Sequence, residues 1–167
     1  MKDGKLYNLI FPIWLFLFFP PIILFTLAGN FLIDSLVIVA SYFLFKAGEG
    51  LSCLAFYKKT ILKVWLFGFL ADLIRAGLLF ACISLQEIIG LSDAVIQGIS
   101  FDPFSNVLAL MLVLVAMTIS SLCILFFNHR FTYNKLIKDE LIRWQVAIFI
   151  AITTLPWTFL LPTKWFV

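Results

Sequence analysis

Asp34, Asp72 and Arg75 stand in stretches that are otherwise almost free of charge. Two carboxylates and a guanidinium in apolar surroundings can neutralise one another, hold a proton between them, or draw a cation through a region of low dielectric. A charge at the centre of a bilayer costs roughly 2.5–3.5 kcal/mol on insertion scales, so such groups face the protein interior and pair. Asp72 and Arg75 are i,i+3 neighbours and share one helix face. With all three ionised the set carries one net negative charge, which suits a cation or a shared proton. Its titration belongs to the group and not to one residue. Asn30, together with Ser35, Ser41, Thr118, Ser120 and Ser121, can add hydrogen bonds.

The face that carries two of these charges is lined with small residues. Gly68, Asp72 and Ala76 step by four, Ala71 and Arg75 lie beside them, and Gly77 and Ala81 follow. Small residues let a second helix approach closely, so this face is expected at the centre of a bundle. Asn30-Phe-Leu-Ile-Asp34 also echoes Gly68-Phe-Leu-Ala-Asp72. The two copies are expected to run in opposite directions through a membrane, as inverted transporter repeats do.

Enzyme signatures are sparse. There is no HExxH, GxSxG or phosphate-binding loop, and the single histidine, His129, lies in a charged segment. Cys53, Cys82 and Cys123 are far apart without a CxxC pair, so they read as small apolar packing residues rather than metal ligands or disulfide partners. No catalytic residue, metal site or cofactor is expected. Gly29-Asn30…Asp34 and Leu70-Ala71-Asp72 resemble the two short motifs of lipoprotein signal peptidases, which implies an aspartyl membrane peptidase. The resemblance spans a handful of residues. Ser35 stands where that family has Arg after the first Asp, and Phe69 or Leu70 where it has Asn before Ala-Asp.

These groups must be positioned by membrane-embedded elements. Of 167 residues 63% are apolar and 13% charged, the mean hydropathy is +1.11, and 20 are Phe. Soluble domains run about 45–50% apolar and about 25% charged. A water-soluble globule, a disordered chain and a nucleic-acid binder are thereby excluded; the lipid bilayer is the solvent. At about 20 residues per crossing, the expected fold is an all-α polytopic bundle of about five spans, forming one integral membrane domain over residues 1–167.

The spans are expected at Tyr7–Ala28, Phe31–Phe45, Ile61–Leu85, Val107–Phe127 and Trp144–Leu161. Gly29-Asn30 supplies the turn between the first two, both residue types tolerating positive φ. Pro12, Pro20 and Pro21 should bend the first. Leu51–Tyr57 should lie in the interface, and Gln86–Asn106 should form a loop with a short helix near Asp93–Ile99. Asn128–Arg143 reads as a charged connector. At 1.5 Å per residue Asp72 would lie about 16 Å deep, Arg75 about 5 Å further out, and Asp34 about 5 Å below the far surface.

Ten of the twelve Lys and Arg fall on one side of this arrangement, Lys164 on the other and Arg75 within a span. Cytoplasmic loops collect Lys and Arg, so the N-terminus is expected in the cytoplasm and the C-terminus outside, in the cell membrane. The first apolar run is longer than the 7–15 residues of a signal-peptide core and is expected to stay uncleaved. Trp65, Trp144, Trp157 and Trp165 suit aromatic belts. The function expected is a small transport or permeation component acting through Asn30, Asp34, Asp72 and Arg75. Such a small chain would self-associate or join a larger membrane complex. The alternative is a non-transporting scaffold or regulatory subunit.

Overall fold

The computed structural model describes residues 22–160 apart from 49 and 156. Among these residues the chain is all-helical, with no strand. The helices are α1 (Ile22–Leu44), α2 (Cys53–Ser84), α3 (Gln86–Ile89), α4 (Asp93–Phe101), α5 (Val107–Phe127) and α6 (Glu140–Thr153). Short 3₁₀ turns occupy Pro103–Ser105 and Trp157–Leu160, and a π-turn, Asn128–Thr132, extends α5. Among the described residues, three helices are long and apolar enough to cross a membrane: α1, α2, and α5 with its π-turn. The expected proline bend, both chain termini and Trp165 lie outside the described residues.

Polar caps set where helices begin. Ser52 accepts from the Ala55 amide at 3.3 Å and starts α2. Asn106 accepts from the Leu108 and Ala109 amides and starts α5. Asp139 does the same for Leu141 and Ile142 at the start of α6. Each satisfies amides that have no partner within the first turn.

Three expectations need correction. Gly29-Asn30 is not a turn: both residues lie inside the continuous helix α1, where Asn30 reaches across to α2. Asp34 consequently sits near the middle of a long helix and not close below a surface. Leu51–Tyr57 is no separate interfacial segment, because the Ser52 cap starts α2 there and carries Lys58 and Lys59 on its first turns. The last helix is also shorter than expected. α6 has 14 residues, about 21 Å, and ends at Thr153 rather than running to Leu161. By contrast, α5 has the expected bounds and α4 the expected position.

The central helix is α2, which packs against α1 on one side and α5 on the other; α6 rests on α5 and α1. One apolar cluster joins Ile38, Phe56, Val64, Tyr133, Ile137, Val146 and Ile150. Phe56 stacks on Tyr133 at 5.9 Å within it. A second joins Leu79, Val95, Ile99, Val113 and Met117 where α4 folds onto α2 and α5. Gly98 permits that fold, since a Cβ there would press on Ala109. The first cluster lies towards the end that carries Lys46, Lys58, Lys59, Lys135 and Lys138; the opposite end carries Glu87, Asp93 and Asp102. Between the two clusters lies a polar layer.

Candidate functional site

The polar layer forms where α1 crosses α2. Asn30 Nδ2 donates to Asp72 Oδ2 at 3.3 Å, and a Cβ on Gly68 would lie 3.8 Å from Asp34 Oδ2. The two echoed segments therefore meet face to face, the first residue of each against the fifth of the other. This is a local two-fold arrangement, and it brings the carboxylates of Asp34 and Asp72 into one layer.

Their surroundings differ. Arg75 Nη2 donates to Asp72 Oδ1 at 2.8 Å, and Arg75 is fully buried. Asp72 thus has a partner on each oxygen. Asp34 is 4% exposed, and among the described residues its carboxylate receives no hydrogen bond and forms no ion pair. It lies close enough to Asp72 for the two charges to repel.

Both carboxylates line a half-open cavity of about 240 Å³. Asn30, Gly68 and Phe69 contribute from α1 and α2, and Thr153, Thr154, Leu155 and Trp157 from the end of α6 and the turn beyond. Thr153 Oγ1 donates to the Phe149 carbonyl at 2.6 Å, and Thr154 Oγ1 to the Ile150 carbonyl at 2.8 Å. Those protons are committed to the helix, so the oxygens can offer the cavity only lone pairs. The end of α6 is also the negative pole of its dipole. Arg75 stands behind Asp72, outside the lining.

Interhelical hydroxyl bonds hold the frame. Ser120 Oγ donates to the Ala71 carbonyl at 3.0 Å, joining α5 to α2 beside Asp72. Ser121 Oγ donates to the Ala151 carbonyl at 3.2 Å, joining α5 to α6. Ser35 binds the Phe31 carbonyl and the Tyr57 hydroxyl, Ser41 the Ile38 carbonyl, and Thr118 the Leu114 carbonyl. None of these hydroxyls joins the charged centre.

Asn30, Asp34, Asp72 and Arg75, singled out from the sequence, come together in one place. Thr153, Thr154 and Trp157 were not foreseen there. Their available signal is a hydroxyl pair directly before Leu155-Pro156, where an apolar helix has to stop. Trp157, expected in an aromatic belt, is exposed and also lines the cavity. No third His, Cys, Asp or Glu joins the two carboxylates among the described residues. His129 lies at the Lys-rich end, stacked on Trp144 at 4.0 Å with Arg143 Nε donating to its Nε2 at 3.2 Å.

Fold and site together define a helical protein with membrane-length spans and a half-open acidic cavity. No known family, no curated protein and no solved structure matches the chain.

Proposed function

We propose that this protein is a transport or permeation component of the cell membrane, with the acidic cavity on the path of a cation or a proton. The observation that carries this reading is Asp34: a buried carboxylate, facing a cavity, without a hydrogen bond or counter-ion among the described residues. An intramembrane charge is expensive and is expected to be paired where its role is only structural. Asp34 has the position of a group that waits for a positive partner.

The segregation of Lys and Arg supports placing the Lys-rich end in the cytoplasm. The cavity would then open towards the outer side, with the Ile38–Phe56–Val64–Tyr133 cluster as the seal beneath it. In this reading α1 begins at the outer end. The protein, in this reading, self-associates or joins a larger membrane complex to enclose the path. Cysteines introduced at Asp93 and Lys135 test the direction: an impermeant thiol reagent added outside should label the first and spare the second, and the reverse pattern overturns it.

The test of the function is flux in liposomes. Asp34→Asn removes the charge and keeps the shape, so the protein should insert and fold while cation or proton flux falls at least tenfold. Unchanged flux in both Asp34→Asn and Asp72→Asn leaves the scaffold or regulatory reading ahead. An aspartyl peptidase is favoured by one observation, the shared cavity of Asp34 and Asp72. Such a dyad works by sharing one proton between its carboxyls. The Arg75 guanidinium, 2.8 Å from Asp72 Oδ1, already engages one of the carboxyls that such a dyad would use.

A further inference from the structure

We propose that the cavity binds a small organic ammonium ion, with Asp34 as its counter-ion; this rests on the passage reading and names its substrate class. Three features of the cavity converge on that chemistry. The first is charge. Asp72 is balanced by Arg75, which leaves Asp34 as the uncompensated charge of the cavity among the described residues, reinforced by the negative end of α6. One positive charge completes it.

The second is hydrogen-bonding sense. Asn30 spends an amide hydrogen on Asp72, and Thr153 and Thr154 spend their hydroxyl hydrogens on helix carbonyls. What remains for a guest from Asp34, Thr153 and Thr154 is acceptor oxygen. An ammonium group is a donor without an acceptor, so it matches this set, whereas a carboxylate or phosphate guest would meet repulsion.

The third is size and lining. An apolar cavity of about 150 Å³ holds benzene, and this one has about 240 Å³. That is far more than a bare metal ion fills. It accommodates a ring-sized body plus a charged head. Ile33, Phe69, Leu155 and Trp157 supply carbon surface for the body, and aromatic rings close to a cation add attraction. The oxygens and the carbon surface together describe an amphipathic cation.

Benzylammonium is the probe, titrated calorimetrically into the full chain in lipid nanodiscs. It should bind, with benzyl alcohol, its neutral counterpart of similar shape, at least tenfold weaker. Asp34→Asn should lose at least tenfold in affinity while its melting temperature stays the same or rises, and Asp34→Glu should recover part of the loss. Absence of binding to the natural chain, equal binding of benzyl alcohol, or unchanged affinity in Asp34→Asn overturns the proposal. Displacement of benzylammonium by equimolar sodium overturns it in favour of an inorganic cation site. Flux separates this proposal from the reading it rests on. Asp34-dependent binding without movement across liposomes removes the passage reading and keeps the ligand class. Asp34-dependent proton or sodium flux without benzylammonium binding does the opposite.

Discussion

Asp72 and Asp34 occupy equivalent places in the two crossing segments, yet their neighbours one turn on differ: Arg75 follows Asp72, and Val37 follows Asp34. The Asp72 side is complete, with a guanidinium on one oxygen and an amide on the other. Among the described residues, the Asp34 side presents a carboxylate to the cavity with neither. One local pattern thus yields a charge lock on α2 and an open charge on α1. The difference teaches that burial alone does not make a carboxylate structural; the presence of a built-in counter-ion does. It also predicts which substitutions act on folding and which act on the guest.

The largest effect belongs to the lock. Arg75→Leu leaves Asp72 buried beside Asp34 with two negative charges and no cation, which should cost about 3–5 kcal/mol, the range for breaking a buried pair from one side. Thermal unfolding in a mild detergent measures it. Adding Asp72→Leu should recover a large part of the loss, because the second change removes the orphaned charge. A double variant as unstable as the single one would mean that Arg75 acts through contacts other than Asp72.

Asp72→Asn comes next. It keeps the shape and an acceptor for Arg75 but removes the negative charge, so the loss should be about 1.5–3 kcal/mol, the range for a hydrogen bond to a charged group. Asp34→Asn should be milder still: a buried charge without a partner is replaced by a neutral amide, and stability should stay level or rise. If Asp34→Asn destabilises as strongly as Asp72→Asn, the two sides are alike and the comparison fails.

Much of this arrangement was legible in the sequence. The charged trio announced itself by cost, and the small-residue stripe on Gly68, Asp72 and Ala76 marked the side where another helix could approach. The bounds of α5 followed from a charge-free, mostly apolar run between Asn106 and Asn128. Two things were hidden because their causes are tertiary. Gly29-Asn30 has turn chemistry locally, but Asn30 finds its partner on Asp72, 42 residues away, and the helix continues. Thr153 and Thr154 gain meaning only when the end of α6 is laid against α1 and α2, which no local pattern specifies. The depth of Asp34 was misjudged for the first reason: a turn at Asn30 would have placed the carboxylate near a surface, and a continuous helix places it level with Asp72.

The smallest expected effect is also the one that isolates shape from charge. Gly68 faces Asp34 across the helix crossing, and a Cβ there would sit at an ordinary contact distance of 3.8 Å from Oδ2. Gly68→Ala therefore forces no movement. It adds a methyl group in ordinary contact with Asp34 and leaves both carboxylates in place, and alanine is the better helix former by roughly 0.8–1 kcal/mol. Stability should be unchanged or slightly higher by thermal unfolding. The guest should feel the difference: a ring-bearing ammonium ion loses room beside Asp34, while methylammonium, which needs only the carboxylate, keeps its affinity. Comparing the two ions by calorimetry on this variant reads the shape of the cavity directly. Equal losses for both would show that the methyl group disturbs the carboxylate itself, and no loss for either would place the guest away from the α1–α2 crossing.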